Sequence, residues 1–279
     1  MGAVASCATA SMVRSFTMPE MSLVKTRKIG AGHFASVYLT RHEGELVAAK
    51  VIPSTDEKNI AADLIIRDLH HPNIVKFVAV VAKEDAYWIL TEFMPTSVSD
   101  VVKYERPTRR LALVLLTQLL DALVFLHRRN IAHRDVKIEN LMLDLDSQRL
   151  KIIDFGNAVV VNGPVEPQKY STAEYAAPEV LEMAQHDPFK ADIWSAGVCA
   201  FAMFVGHFPF QRADTTDRFF KVYKERGEFD LSDAEPPKPL GSSLSLCKRL
   251  LTVHPNARPD ARAARHRLAG AMVGAALHF

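Results

Sequence analysis

The hydrophobic pattern of the chain changes once, near Pro95, from the two-residue period of strands to the longer period of helices. Before this point short β-branched segments alternate with glycine and turn residues, and one helical stretch, residues 56–69, lies among them. After it the pattern is helical, most plainly at residues 108–128, where Thr108 is expected to cap the helix. Strands followed by a block of helices predict an α+β protein, with a small, mostly antiparallel β lobe that carries one helix and a larger helical lobe. The predicted strands are residues 23–29, 36–40, 45–52, 74–81 and 87–93.

Charge and cysteine content narrow the classes of function. The net charge is +2, from 34 basic and 32 acidic residues among 279, and this balance argues against a nucleic-acid partner. Cys7, Cys199 and Cys247 are odd in number and far apart, so neither a disulfide framework nor paired zinc ligands can be drawn. The apolar stretch at residues 193–211 is interrupted by glycine, proline and histidine, so we expect a buried helix there rather than a membrane span. A cytoplasmic location is therefore expected.

The first chemical motif is a glycine-containing turn, GAGHFASV at residues 30–37, between two predicted strands. Glycines let the backbone approach phosphate oxygens closely, and a dinucleotide-binding turn would instead open a helix. Lys50 lies thirteen residues after Val37, on the next predicted strand. A plain hairpin turn and a solvated strand lysine would explain the same residues, so this motif alone does not identify a function.

The decisive motif is HRDVKIEN at residues 133–140, because many residue types are specified within a short window. It is followed by DFG at 154–156, APE at 177–179 and DIWSAG at 192–197. The order and the spacing of these motifs resemble those of the eukaryotic protein kinase family. Lys137 resembles the serine/threonine type, since tyrosine kinases carry a different sequence at this point.

The resemblance implies the bilobal protein kinase fold and one kinase domain at residues 22–268. Its N-lobe would be residues 22–93 and its C-lobe residues 97–268. Residues 1–21 are then a flexible leader, and residues 269–279 a short C-terminal tail.

The resemblance also implies ATP and Mg²⁺ as cofactors and protein hydroxyls as acceptors. Phosphoryl transfer passes through a highly charged transition state, so the protein aligns the reactants and neutralises oxygens. Asp135 would orient the acceptor hydroxyl, Lys137 would neutralise the γ-phosphate, and Lys50 would contact the α- and β-phosphates. Asn140 and Asp154 would hold Mg²⁺, which prefers oxygen ligands.

The ATP-binding residues implied by the family come from three places: the glycine-containing turn, the strand that carries Lys50, and the segment that directly follows Thr91. They are Ile29, Gly30, Ala31, Gly32, His33, Phe34, Ala35, Ser36, Val37, Ala48, Lys50, Glu92 and Met94.

The family pattern extends to regulation, substrate binding and stability. Arg258 matches a buried structural partner of Glu179. Glu139 occupies a position that contacts a basic residue upstream of the target in some related kinases. Proline-directed members usually have arginine where this chain has Ala176, so proline direction is not expected. The activation-segment residues are Phe155, Gly156, Thr172 and Glu179.

One departure from the family concerns the glutamate that normally pairs with the strand lysine. Counting ten residues back from Pro72 and twelve forward from Lys50 both reach Ala62. Asp63 is adjacent, but it points about 100° away on an ideal helix and is one methylene shorter. Either Asp63 is brought in by a small turn of the helix, or Lys50 lacks its partner. The second case would favour a weak pseudokinase that acts as a nucleotide-binding scaffold.

The first residues of the chain leave three interpretations open. Gly2 with Ser6 meets the N-myristoylation pattern, and Cys7 adds a candidate palmitoylation site, so two acyl chains would attach the protein peripherally to a membrane. An ordinary disordered terminus is the second interpretation. The third is an organelle transit peptide, because Arg14 is present and no acidic residue precedes Glu20.

Overall fold

The computed structural model describes residues 27–31, 35–83, 85–163, 165, 172–183, 185–231 and 241–276. Five residues with predicted roles, namely Gly2, Cys7, Gly32, His33 and Phe34, lie outside these ranges, and so does the whole predicted leader.

The chain divides into two compact units, each described by itself below. The first is Met1–Pro95 with Ile153–Ala158, and the second is Thr96–Ile152 with Val159–Phe279. The boundary near residue 95 lies between positions 93 and 97, the limits of the predicted lobes. Ile153–Ala158 is the exception, because Asp154 in this segment bonds to Lys50 of the first unit.

The first unit is built on one antiparallel sheet of five strands. The order in the sheet is β1-β2-β3-β5-β4, so the predicted antiparallel lobe is confirmed. The predicted strand at residues 74–81 begins later than expected, because Ile74 closes a turn onto the carbonyl of His71. The strands are β1 Arg27–Ala31, β2 Ser36–His42, β3 Glu45–Pro53, β4 Phe77–Ala82 and β5 Ala86–Glu92.

The alternation of side chains along β3 decides which residues can reach a ligand. Val47 and Ala49 are buried in an apolar cluster with Trp88 and Leu90 of β5. Successive strand residues point to opposite faces, so Lys50 projects from the other face of the sheet.

The helix of the first unit is shorter than the sequence pattern predicts. Helix α1 spans Glu57–Asp63 and is capped by Asp56, whose side chain accepts from the N–H of Asn59 at 3.3 Å. The chain then continues as a 3₁₀ turn, Leu64–Asp68. The single predicted helix at residues 56–69 is therefore wrong in its second half. The β-branched residues Ile65 and Ile66 have a slightly lower helix propensity than unbranched residues, and a 3₁₀ turn is a common way for an α-helix to end.

The second unit is mainly helical, as predicted. Thr108 caps the long helix α3, since its hydroxyl accepts from the N–H of Leu111 at 3.2 Å. The predicted tail boundary at residue 268 falls inside the last helix, α8. The helices are α2 Val98–Tyr104, α3 Arg109–His127, α4 Pro178–Leu181, α5 Pro188–Val205, α6 Arg218–Arg226, α7 Gly241–Leu250 and α8 Ala261–Ala276. Short strands lie between them: β6 Thr96–Ser97, β7 Ile131–Ala132, β8 Leu141–Asp144, β9 Arg149–Ile152 and β10 Val159–Val160.

Helix α5 forms the centre of the second unit. Gly197 allows α7 to pack closely, because a Cβ at this position would lie 2.9 Å from side-chain atoms of Leu250 and Leu251. Within the part of the chain that the structure describes, two helices, α3 and α5, are long and apolar enough to cross a membrane by length and composition alone. The core helix of a globular domain meets the same criteria, and 83% of the apolar window of α5 is buried inside the protein. This matches the predicted buried helix.

A buried ion pair ties the segment after α7 to the start of α4. The Arg258 side chain is fully buried, and its two terminal nitrogens donate to the Glu179 carboxylate at 2.7 and 3.1 Å. It also donates to the carbonyls of Lys190 and Thr252 at 2.7 and 2.9 Å. The sequence-based pairing of Glu179 with Arg258 is thus present in the structure.

Replacing Arg258 by leucine is expected to lower the free energy of unfolding by about 3–5 kcal/mol, because Glu179 would keep a charge without its buried partner. The matched control is Arg265→Leu, which breaks a half-exposed pair with Asp121. We expect that change to cost less than about 1 kcal/mol. Urea unfolding of both variants, followed by tryptophan fluorescence, compares them. Equal losses would contradict a special role for the buried pair.

Candidate active site

Lys50 of the first unit bridges two carboxylates. Its Nζ lies 2.6 Å from Oδ2 of Asp63 and 2.7 Å from Oδ1 of Asp154. The Asp63 side chain is 4% exposed, whereas Ala62 is half-buried. The open question about the missing glutamate is therefore answered within this unit: Asp63, and not position 62, carries the acidic partner of Lys50.

The end of α1 explains why Asp63 reaches the lysine. Asp63 is the last residue of the α-helix, and the N–H of Leu64 bonds back to the carbonyls of Ala62 and Ile60. The tighter 3₁₀ turn that follows changes the angular spacing from that of an ideal α-helix. Ideal helical spacing does not predict this change of angular spacing at the end of α1.

Gly156 lets the backbone pass close to the lysine bridge. A Cβ at this position would lie 2.8 Å from Nζ of Lys50 and 3.3 Å from Oδ1 of Asp154. Asp154 itself has a φ of 60°, a conformation rarely adopted by residues other than glycine. The Asp154–Gly156 motif thus combines an aspartate whose backbone is strained with a glycine that leaves room for Lys50.

Burial controls the electrostatics of the bridge. It raises the pKa of Asp63 to about 6, although the positive charge of Lys50 and a hydrogen bond from the backbone of Phe155 act in the opposite direction. For Lys50, burial disfavours the charged form, but Asp63 and Asp154 outweigh burial and raise its pKa. Lys50 is therefore a permanent cation, and Asp63 is the group that titrates near neutrality.

We expect MgATP binding to weaken as the pH falls through about 6, because protonated Asp63 no longer holds Lys50 as an ion pair. The sign follows from the pKa: the carboxylate is charged above this value and neutral below it. Phosphate groups titrate in a similar range, so Asp63→Asn provides the control. The KM for MgATP should rise more steeply at low pH in the wild type than in the variant. Parallel pH profiles would show that Asp63 does not contribute.

The remaining predicted nucleotide-binding residues of the first unit lie on the sheet and on the segment after it. Gly30 lies at an irregularity of β1, where it pairs with Val37. Glu92, at the end of β5, donates its backbone N–H to the carbonyl of Lys76, and its side chain accepts from the N–H of Lys76 at 2.6 Å. Glu92 and Met94 remain predicted ATP-binding residues. The others are Ile29 and Ala31 on β1, Ala35 before β2, Ser36 on β2 and Ala48 on β3.

In the second unit Asp135, Lys137 and Asn140 form one bonded cluster. Oδ2 of Asp135 accepts from Nζ of Lys137 at 2.9 Å and from the amide nitrogen of Asn140 at 3.0 Å. The same amide nitrogen donates to the Asp135 carbonyl at 2.9 Å. These bonds fix the Asp135 carboxylate, and they use the amide nitrogen of Asn140, so the amide oxygen is the atom of this side chain that could hold a metal.

Each unit, taken by itself, provides an oxygen donor of the type that suits a magnesium ion held partly by a nucleotide. Among the residues that the structure describes, no three His, Cys, Asp or Glu side chains gather into a metal site. Mg²⁺ typically takes only one or two protein oxygens and completes its shell with phosphates and water. The Asp154 carboxylate, whose side chain is 38% exposed, and the Asn140 amide oxygen are oxygen donors of this kind.

Asp192 supports the catalytic cluster, a role that the sequence analysis did not assign. Its carboxylate accepts from the N–H groups of His133 and Arg134 at 2.9 and 2.8 Å, and Oδ2 lies 3.0 Å from Nε2 of His127. Arg134 has a φ of 65°, so these bonds hold a strained turn directly before Asp135. The available signal was an aspartate between Ala191 and Ile193 in an apolar stretch, since a buried carboxylate needs partners.

The sequence analysis also assigned no role to Tyr175. It lies in a short 3₁₀ turn, Ala173–Tyr175, which follows Thr172, and its hydroxyl bonds to Glu139. Glu139 itself is exposed, and its predicted substrate-binding role stays a prediction.

Comparison with known proteins identifies the family. The family model described as "Protein kinase domain" matches residues 23–268. The chain belongs to the protein kinase family. The predicted α+β kinase fold is thereby confirmed.

Relatives of this kinase domain among curated proteins include two from plants. It is 35% identical to CBL-interacting protein kinase 4 of rice over 252 residues, which cover 83% of this chain and 54% of the relative. It is also 35% identical to CBL-interacting serine/threonine-protein kinase 13 of Arabidopsis thaliana, over 82% of this chain and 47% of the relative. The chain thus spans about half the length of these relatives. The name of the Arabidopsis relative describes that protein as a serine/threonine kinase, the type predicted from Lys137.

Proposed function

We propose that this kinase domain transfers the γ-phosphate of ATP to serine or threonine hydroxyls of proteins and is not proline-directed. The observation that carries the proposal is the bonded cluster of Asp135, Lys137 and Asn140. Such a cluster provides a proton acceptor, a cation and a metal ligand within one short loop, which is the set that phosphoryl transfer requires.

Each residue contributes one function in the proposed reaction. Asp135 would accept a hydrogen bond from the acceptor hydroxyl and orient it for attack. Lys137 would balance the charge of the transferred group, and Lys50 would hold the α- and β-phosphates. Asn140 and Asp154 would hold Mg²⁺, which supplies charge neutralisation at the phosphate oxygens.

The alternative of an inactive nucleotide-binding scaffold rested on Ala62. The ion pair between Lys50 and Asp63, at 2.6 Å, weighs against this alternative because the lysine has a buried acidic partner. Activity is therefore the better supported proposal.

A direct assay distinguishes an active kinase from an inactive nucleotide-binding scaffold. The purified chain, Mg²⁺ and γ-labelled ATP are incubated with arrayed serine and threonine peptides. We expect label on peptides and none when magnesium is chelated. Nucleotide binding without any transfer would favour the scaffold.

Paired peptides with proline or alanine directly after the acceptor residue test proline direction. We expect equal rates of phosphorylation for the two peptides, because Ala176 replaces the arginine of proline-directed members.

Attachment to a membrane through Gly2 and Cys7 stays a prediction, as does a cytoplasmic location.

A further inference from the structure

Arg109, the first residue of α3, bonds to two serines of α7. Its terminal nitrogen Nη2 donates to Oγ of Ser242 at 2.5 Å, and its Nε donates to Oγ of Ser243 at 3.1 Å. The arginine and the serines are far apart in the sequence but belong to the same compact unit. One side chain thus connects the beginnings of two helices of the second unit.

The bonded partners of Arg109 are both neutral. Other arginines of this unit meet carboxylates, as Arg258 does at Glu179 and Arg265 does at Asp121. Within the described part of the chain, Arg109 forms no ion pair with an acidic side chain and donates to hydroxyl oxygens instead. A guanidinium presents its donors as a planar fork that matches the oxygens of a phosphate. The contact is therefore complementary to an anion with several acceptor oxygens.

The short contact decides where such an anion would be attached. At 2.5 Å between Nη2 and Oγ, no separate anion fits between Arg109 and Ser242. A phosphoryl group bonded to this Oγ would instead carry its own oxygens directly beside the guanidinium. Ser242 is exposed and is the second residue of α7, so opening of the first turn is enough to present its hydroxyl to an enzyme. Ser243 is only 2% exposed, which leaves Ser242 as the accessible hydroxyl of the pair.

We propose that Ser242 is a phosphorylation site and that Arg109 binds the resulting phosphate, which strengthens the contact between α3 and α7. In this step Oγ of Ser242 forms a bond to the γ-phosphorus of ATP, the bond from that phosphorus to the β–γ bridging oxygen breaks, ADP leaves, and the hydroxyl proton is released. A charged acceptor then replaces a neutral one, and charge-assisted hydrogen bonds are the stronger kind. A separate protein kinase suffices as the catalyst, so the inference goes beyond the proposed function and does not depend on it.

Peptide mapping by mass spectrometry tests whether the site is used. The full chain is produced in eukaryotic cells, purified with phosphatase inhibitors and digested, and the peptide that contains Ser242 is sequenced. We expect phosphate on Ser242 and none on the buried Ser243. An unmodified Ser242 would overturn the proposal, and so would phosphate on Ser243 in its place.

The stabilising role is measured on the full chain with phosphoserine incorporated at position 242 during synthesis. Unfolding in urea is followed by tryptophan fluorescence. We expect the phosphate to lower the equilibrium constant for unfolding about tenfold relative to the unmodified chain. In Arg109→Gln most of this gain should be lost. No gain with Arg109 present, or an equal gain in Arg109→Gln, would overturn the role assigned to this arginine.

Three controls make the result specific to this pair. Arg110→Gln removes the adjacent exposed arginine and should keep the full gain, whereas an equal loss in Arg109→Gln and Arg110→Gln would indicate a general effect of charge and overturn the proposal. Phosphoserine at position 245, which is also exposed and lies one turn further along α7, should give no gain that depends on Arg109. Inorganic phosphate added to the unmodified chain should not stabilise it through Arg109. Stabilisation by inorganic phosphate that disappears in Arg109→Gln would identify a site for a free anion and overturn the attachment to Ser242.

Discussion

Replacing Asp135 by asparagine is expected to lower kcat for peptide phosphorylation by about 10²- to 10⁴-fold while the affinity for MgATP stays close to that of the wild type. The amide has nearly the same shape as the carboxylate but cannot accept the proton. It also removes the charge that Lys137 contacts at 2.9 Å. Because Asp135 is assigned to the acceptor and not to the nucleotide, binding and turnover should separate.

Steady-state kinetics and nucleotide binding by calorimetry check this separation. Asp144→Asn is the matched control, since Asp144 on the neighbouring strand β8 accepts local bonds from the backbone of Asp146 and from the backbone and side chain of Ser147. That variant should keep nearly full activity. Turnover of Asp135→Asn near the wild-type level would refute the assignment of the acceptor site.

Replacing Asp63 by alanine is expected to lower kcat/KM by about 10- to 100-fold, because Lys50 would then be held by Asp154 without its buried partner. Ala62→Glu alone should change little, since Asp63 already pairs with the lysine and position 62 is half-buried. This expectation differs from that of the sequence pattern, in which a glutamate at position 62 would raise activity.

The double variant Ala62→Glu, Asp63→Ala makes the test specific. A glutamate restored at position 62 should recover part of the activity if the lysine needs an acid from this helix. Asp68→Ala is the control, because Asp68 forms an exposed pair with the neighbouring Arg67. If Asp63→Ala matches Asp68→Ala in activity, then Asp63 does not position Lys50.

The sequence could predict those features of the fold that depend only on residues near one another in the chain. The period of two along residues 45–52 was enough to place Lys50 on one face of a strand, and the structure has β3 at Glu45–Pro53. The cap at Thr108 was equally local, since a hydroxyl directly before a helical pattern can bond within the first turn. Arg258 and Glu179 are far apart in sequence, and only the family resemblance linked them.

The sequence by itself determined the candidate residues for the proposed phosphoryl transfer, because the motif around Asp135, the Asp154–Gly156 motif and the strand lysine require particular residue types at fixed spacing. The tertiary structure alone decided which groups support them. Asp63 pairs with Lys50 because α1 ends in a tighter turn, and Tyr175 reaches Glu139 because a short 3₁₀ turn brings its hydroxyl to the loop. Both contacts depend on the directions of side chains that are distant in sequence, and those directions are set by packing that no local spacing encodes.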